Sequence, residues 1–218
     1  MKFFDRNAIA PVLANGIKEL KLDLSEQQHT QLLDYLALLH KWNSVYNLTS
    51  VRDPMQMATH HALDSLAAVS AFEGATSVLD VGAGGGLPGI VLAIARRDMK
   101  VALIDTVHKK TAFLTQVKAE LGLSNVTVHT ARVEELQVPH KFDVITSRAF
   151  ADLSDFVNWS GHLLAEGGKF IALKGTAPAD EQERLPSDWK VSELRPIQVP
   201  GLQAERHLVF IEKNEKTV

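Results

Sequence analysis

Between Val78 and Gly89 the chain reads Val-Leu-Asp-Val-Gly-Ala-Gly-Gly-Gly-Leu-Pro-Gly, with five glycines in the eight positions from Gly82. Glycine loses more conformational freedom on folding than any other residue, so such a density needs a reason. One reason is a tight turn with close helix–strand packing; the other is a ligand pressed against bare main chain. The flanking residues favour the ligand. A β-rich run, Ser77–Val81, precedes the loop and an apolar helical run, Pro88–Arg97, follows it. The loop therefore stands at the carboxyl end of the first strand of a βαβ unit, where open α/β sheets bind nucleotides. Asp105 ends the next β-rich run, 19 residues after Gly86. A carboxylate at that place accepts hydrogen bonds from ribose hydroxyls, or else caps the turn that follows it.

The periodicity on either side sets the fold class. Upstream, Ala8, Ile9, Val12, Leu13, Ile17 and Leu20 recur at helical spacing. Ser25 to Gln28 reads as a capping box opening a second helix. Asp53-Pro54 starts a third, running to about Phe72. Downstream of Gly74 short β-rich runs alternate with helical ones: strands at 77–81, 101–105, 125–130, 142–146 and 168–173, with helices at 88–97, 109–121 and about 152–164. Val191–Val199 and His207–Lys213, joined through Pro200-Gly201, read as a hairpin. The expected architecture is α/β: a Rossmann-like doubly wound sheet, mostly parallel with an antiparallel C-terminal strand, under an N-terminal helical cap. The cap covers residues 1–73 and the sheet unit 74–218, with irregular ends at 1–6 and 214–218.

Composition narrows the function classes. There is no cysteine, so disulfides, thiolate metal sites and a cysteine nucleophile are excluded. The longest strictly apolar run, Ile90–Ala95, is six residues, against roughly 20 for a membrane-spanning helix. The start, Met1 to Arg6, turns charged at once, so no secretory signal and a cytoplasmic location are expected. With 23 Lys and Arg against 26 Asp and Glu, net charge −3, any nucleic acid must be held by a local cluster. The densest basic neighbourhood is Arg96, Arg97, Lys100, Lys109, Lys110 and Lys118. It forms either a phosphate-facing patch or ordinary solvated helix faces.

The spacing Gly84-x-Gly86-x-x-Gly89 satisfies the dinucleotide fingerprint, which admits a nicotinamide-dependent oxidoreductase. Asp80 argues otherwise. A carboxylate just ahead of the loop is badly placed beside a pyrophosphate and well placed for a ligand bearing an ammonium or sulfonium cation. The string Leu-Asp-Val-Gly-Ala-Gly-Gly-Gly resembles motif I of the class I S-adenosylmethionine-dependent methyltransferases. Six further strings occur in order: Trp42-Asn43-x-x-Tyr46-Asn47-Leu48-Thr49-Ser50, His60-His61-x-x-Asp64-Ser65, Gly85-Gly86-Leu87-Pro88-Gly89, Ser147-Arg148-Ala149-Phe150, Leu173-Lys174-Gly175 and Glu205-Arg206-His207. Together they resemble the RsmG family, also called glucose-inhibited division protein B, from Leu36 to Ile211.

That resemblance implies transfer of a methyl group from S-adenosylmethionine to N7 of a guanine in the 530 loop of bacterial 16S rRNA. The partner would be naked 16S rRNA, a precursor particle or the small ribosomal subunit, met by a monomer with no membrane attachment. A non-catalytic ribosome-assembly binder is the alternative outside enzymology. On the resemblance, Asp80, Gly82, Gly84, Leu87, Asp105, Val133, Glu134 and Arg148 contact the cofactor. The triple glycine 84–86 stands where the family has a more variable Gly-x-Gly, which would loosen the turn. Guanine N7 carries a lone pair and no proton, so no general base is needed and alignment is the protein's task.

Arg148, Lys174 and Asn47 are the candidate substrate-side residues. Arg148, just past the fourth strand, can grip a phosphate, the guanine O6 or the methionine carboxylate. Lys174 can hold a phosphate, Tyr46 can stack on a base and Asn47 can read its edge. Arg206-His207 either reaches the same mouth or discourages pairing at a sheet edge. No metal site is expected, because one helix cannot aim His60, His61 and Asp64 at a single ion. His61 and Asp64 instead read as a structural pair under the 46–50 loop.

Overall fold

Short polar side chains start the cap helices. In the computed structural model, which describes residues 3–148, 150 and 152–214, the Asp5 carboxylate accepts from the Asn7 and Ala8 N–H groups and begins α1 (Arg6–Glu19). The chain is thus regular from Arg6. Of the ends expected to be irregular, 1–2 and 215–218 lie outside the described residues, as does Ala149 of the Ser147–Phe150 string. The capping box forms at Ser25 and Gln28 and opens α2 (Glu26–Tyr46). Asp53 and Pro54 open α3 (Pro54–Met57), but the single helix expected from there to Phe72 is broken. A π-helical turn (Ala58–Leu63) follows, then α4 (Asp64–Leu66) and a 3-10 turn (Val69–Phe72). A π turn closes i→i+5 rings and re-aims the residues it carries, here His60 and His61, while leaving the apolar spacing almost helical, which hides it from a periodicity reading.

The strands are β1 (Ser77–Val81), β2 (Lys100–Asp105), β3 (Val126–Thr130), β4 (Phe142–Arg148), β5 (Leu164–Lys174), β6 (Trp189–Pro196) and β7 (His207–Lys213). They form one sheet in the order β3-β2-β1-β4-β5-β7-β6. The first five are parallel, and β7 runs antiparallel between β5 and β6. The crossovers use α5 (Gly89–Ala95), α6 (His108–Leu121), a 3-10 turn (Val133–Glu135) and α7 (Leu153–Ser160); α8 (Ala179–Glu183), which the sequence reading did not anticipate, precedes β6. The order reverses between β1 and β4, which makes the switch point where such sheets bind ligands. Several expected boundaries move. β4 runs on past Thr146 because Ser147 and Arg148 pair with Ala172 and Leu173. β5 begins at Leu164 rather than Gly168, and the helix expected to reach Leu164 ends at Ser160. β6 occupies 189–196 rather than 191–199.

Two apolar layers flank the sheet. On one face α7 packs through Leu153, Phe156 and Val157 against Leu79, Ile145 and Phe170. On the other, the cap residues Leu13, Leu36, Leu39, Leu63 and Phe72 share a single buried cluster with Leu92, Leu103 and Phe113 of the sheet unit. Full burial of such side chains stabilises by roughly 1.5–3 kcal/mol each. α1 crosses the π turn so closely that a Cβ on Gly16 would stand 2.4 Å from Leu63 Cδ1. The cap also reaches the glycine loop, where the buried Tyr35 hydroxyl donates to the Gly85 carbonyl at 2.7 Å. That bond ties the triple glycine to the cap. Among the described residues no helix is long and apolar enough to cross a membrane.

Candidate active site

Four of the five glycines divide into two kinds. Gly86 and Gly89 face inward: a Cβ would lie 2.6 Å from Ile90 Cγ1 at the first and 2.2 Å from Leu103 Cδ2 at the second. Gly82 and Gly84 have φ of +68° and +55°, a left-handed conformation that side chains resist. A Cβ on Gly82 would meet nothing within 4 Å, and one on Gly84 only the Gly82 carbonyl at 3.7 Å. Close packing therefore accounts for Gly86 and Gly89, while Gly82 and Gly84 leave open space over left-handed backbone. The turn itself is tied to β2, because the Gly82 and Ala83 N–H groups both donate to the Ile104 carbonyl, at 2.9 and 3.0 Å.

At the carboxyl ends of β1, β2 and β3 lies a cleft of about 410 Å3, lined among others by Gly82, Asp105, Val107, Val133, Glu134 and Trp159. Four of the residues expected here from the sequence thus meet in one cavity of the size that binds small molecules. Asp105, 6% exposed, accepts from the Gly84 N–H at 3.0 Å and the Val107 N–H at 2.9 Å, with Lys110 Nζ 3.4 Å away. It holds the glycine loop and the β2–α6 turn as two rims of the cleft, and its remaining lone pairs face no other described donor. Glu134 pairs with Arg132 at 2.6 Å on the outer wall. Phe150, which packs on Trp159 with centroids 5.6 Å apart, closes the α7 side. Neither aromatic was assigned a role from sequence. The spacing of Phe156 and Trp159 marks a helix face, but not what that face looks upon.

A second group gathers where β1 and β4 end. Asp80 is fully buried. Its Oδ2 accepts from the Gly89 N–H at 2.8 Å, while Oδ1 has no hydrogen-bond partner among the described residues. Burial pushes its pKa up to about 7 from 3.8, against the pull of the Gly89 N–H and of Arg148. A buried carboxylate oxygen lacking a donor is a site for a cation or an N–H group. Arg148 donates from Nη1 to the His60 carbonyl at 2.9 Å and lies 3.4 Å from both His61 Nδ1 and Asp64 Oδ2. The expected direct pairing of His61 with Asp64 is corrected here: Arg148 stands between them. His61 Nε2 does lie under the 46–50 loop, 2.8 Å from Thr49 Oγ1.

The other candidates are dispersed. Leu87 is 4% exposed and packed in the apolar core beside Ala83, outside the lining of the cleft. Lys174 donates to the Glu181 carboxylate at 2.7 Å and to the Phe150 carbonyl at 3.0 Å, so its charge is matched and it braces the cleft wall. Asn47 is exposed, ends α2 in the left-handed conformation and accepts from Arg52 at 2.8 Å. The basic neighbourhood does not form one patch. Lys109 and Lys110 begin α6 beside the cleft, while Arg96, Arg97 and Lys100 lie at the opposite end of β2, and six residues of strand span about 20 Å. Arg96 there pairs with Asp98 and Arg97 donates to Gln31.

A doubly wound sheet with this strand order, an open glycine cradle and an acidic residue at the end of β2 defines a class I methyltransferase, the class that uses S-adenosylmethionine. Solved structures agree on the fold. Ribosomal protein L11 methylase from Lactobacillus delbrueckii subsp. bulgaricus superposes with a TM-score of 0.54 at 18% identity, over 70% of this chain and 77% of that one. A SAM-dependent methyltransferase from Thiobacillus denitrificans, solved with S-adenosyl-L-homocysteine, gives 0.51 at 12% identity, over 81% and 97%. The family model for GidB, rRNA small subunit methyltransferase G, matches residues 28–209. The Ribosomal RNA small subunit methyltransferase G of Herminiimonas arsenicoxydans is 72% identical over 98% of this chain and all of that one. The chain belongs to this rRNA small subunit methyltransferase G family. The nicotinamide alternative is set aside by that family match.

The chemistry of the residues is compatible with a methyl donor: Gly82 leaves open space and Gly84 meets only a carbonyl at 3.7 Å, Asp105, Val133 and Glu134 line the cleft, and Asp80 Oδ1 lacks a donor among the described residues. Two consequences are measurable. Gly89→Ala is expected to cost about 1–3 kcal/mol by overpacking, a fall of roughly 2–12 °C in Tm. Gly82→Val should instead weaken S-adenosylhomocysteine by at least about tenfold, with a smaller loss of stability of roughly 1–2 kcal/mol from its φ; calorimetry and thermal melts of the two variants check the division. His61 supplies the second. Burial, with Arg148 next, pushes its pKa down from 6.5 to about 3. The unfolded chain binds this proton first, so stability is intact above pH 6.5 and falls as pH drops from there towards 3. Between pH 7.5 and 5 the wild type should lose about 1–2 kcal/mol more than His61→Gln in denaturant titrations.

Proposed function

We propose that the protein transfers the methyl group of S-adenosylmethionine to N7 of a guanine in the 530 loop of 16S rRNA, on the small subunit or a precursor of it. One observation carries the choice of acceptor. The groups at the mouth are engaged with one another: His61 is neutral and faces Thr49 and Arg148, Asp64 holds arginine, and Lys174 holds Glu181. The only carboxyl of this group with an unpartnered oxygen among the described residues, Asp80, lies fully buried beneath the glycine loop, and N7, a lone pair without a proton, asks for no base. When bound, S-adenosylmethionine supplies a sulfonium-activated methyl group.

The chain's own contribution is orientation, worth up to roughly 7–11 kcal/mol when both partners are held in line. Gly82 and Gly84 let main chain approach the donor, Asp105 accepts from its ribose, and Val133 and Glu134 flank its adenine. Asp80 and Arg148 meet its ammonium and carboxylate ends. Arg148 and Asn47 stand on the side from which RNA arrives, and Lys174 keeps the Phe150 wall in place. The guanine gains positive charge on transfer, which suits the aromatic walls Phe150 and Trp159. The test is mass-spectrometric mapping of methylated guanine in 16S rRNA from cells with and without this protein. One 7-methylguanine in the 530 loop should vanish on deletion and return with the wild-type chain. Binding to the subunit without any such change would instead identify a non-catalytic assembly factor.

A further inference from the structure

On the same end of the sheet as the cleft, the connection between β6 and β7 borders a second groove, of about 640 Å3, lined in part by Gln198, Gln203, Glu205, Arg206 and His207. β7 is antiparallel to β5, so His207 pairs with Lys174 and the groove opens beside the carboxyl end of β5. The connection is a formed structure. The Ile197 N–H donates to the Arg206 carbonyl at 2.8 Å and Val199 is buried. Arg206 donates from Nε to Asp64 Oδ1 at 2.8 Å, the carboxylate whose other oxygen faces Arg148 at 3.4 Å.

The charge count at this point is uneven. Lys110, Lys174 and Arg184 each stand against a carboxylate of their own, namely Asp105, Glu181 and Asp152. Arg148 and Arg206 share Asp64, which is 3% exposed. Two guanidinium groups, each with a side chain 24% exposed, share one buried carboxylate, and of the Arg206 nitrogens Nε donates to Asp64 and Nη1 to the Glu205 carbonyl, while Nη2 has no hydrogen-bond partner among the described residues and is left to donate to an anion. The exposed amides of Gln198 and Gln203 offer donors and acceptors suited to base edges and 2′-hydroxyls.

We propose that this groove takes the nucleotide adjoining the target guanine, with its phosphate on Arg206, and that Asp64 is a positioning residue setting that phosphate site against the Arg148 end of the cofactor cleft. The proposal rests on the rRNA methyltransferase reading above. The experiment is steady-state methyl transfer to small subunits over a range of salt, with S-adenosylhomocysteine affinity measured in parallel. Arg206→Gln should raise KM for RNA about tenfold, leave kcat within about twofold, leave S-adenosylhomocysteine Kd within about threefold, and flatten the log–log salt slope by about 0.7–0.9, one phosphate contact. Arg206→Lys should recover the slope, and Glu205→Gln, which removes a groove carboxylate, should lower KM. An unchanged KM and slope in Arg206→Gln, or a loss of cofactor affinity as large as the loss of activity, overturns the proposal. If that variant does not fold, Gln198→Glu with Gln203→Glu, both at exposed positions, must raise KM by about tenfold, and no rise is equally decisive. A wild type that binds S-adenosylhomocysteine yet methylates no RNA removes the underlying reading; an active wild type indifferent to these changes removes only the groove.

Discussion

Arg148→Ala is expected to cut kcat/KM for methyl transfer by at least about a hundredfold while the protein stays folded. The guanidinium ends β4 at the switch point of the sheet and is fixed from the cap by the His60 carbonyl and by Asp64. Charge-assisted hydrogen bonds contribute roughly 1.5–3 kcal/mol each, and two of them lost to a bound anion amount to a hundredfold or more. The fold survives because Asp64 keeps Arg206 at 2.8 Å, so no buried carboxylate is left without a cation. Arg148→Lys should recover little, since a point charge cannot reproduce a planar fork held on several acceptors. Single-turnover transfer, with thermal melts as the control for folding, makes the measurement. Retention of more than about a tenth of the wild-type rate by Arg148→Ala would remove this residue from the site.

The second large effect belongs to Asp80. Its carboxyl has a pKa of about 7, raised by burial, so near neutrality the cofactor-free protein holds it partly protonated. A ligand that brings an ammonium to Oδ1 must bind the ionised form. S-adenosylhomocysteine affinity should therefore rise with pH between about 5 and 7, by as much as tenfold per unit at the lower end. Asp80→Asn should abolish that slope and weaken binding at pH 7.5 by about tenfold or more. The contribution of Asp80 to the stability of the cofactor-free protein moves the other way, against that of His61. Because the folded pKa lies above the unfolded 3.8, the folded state binds the extra proton between those values, and stability falls as pH rises through about 7. Calorimetric titrations at pH 5, 6 and 7 and denaturant melts of the wild type against Asp80→Asn over the same range check both signs. A flat binding profile would mean that Asp80 serves only the Gly89 N–H.

The outline of this protein was legible because it rests on local chemistry. Capping side chains at Ser25 and Asp53, the change of period after Gly74, and glycines at the end of the first strand act over a few residues, and a reader of the chain meets them in order. The same locality placed Gly82, Asp105, Val133 and Glu134 in one cleft, since each ends or follows a parallel strand and the carboxyl ends of parallel strands share one rim. What escaped was long-range. The π turn differs from an α-helix by one hydrogen-bond ring and leaves apolar spacing nearly intact, so the sequence placed His61 under the 46–50 loop but could not say that Arg148 lies between His61 and Asp64. The six basic residues around β2 look adjacent in the chain, yet a strand separates them into two ends.

Arg206 and Asp64 are 142 positions apart, and the partnership exists because β7 inserts antiparallel beside β5 and the cap folds across the same rim. Residue types, element order and the glycine cradle are thus written along the chain, in patterns whose range is a turn or a strand. Which cation keeps a free charge, which carboxylate loses its solvent and which aromatic rings close the cleft depend on burial and on contacts between distant segments. Those properties do not exist until the helical cap and the sheet exclude water from the space between them.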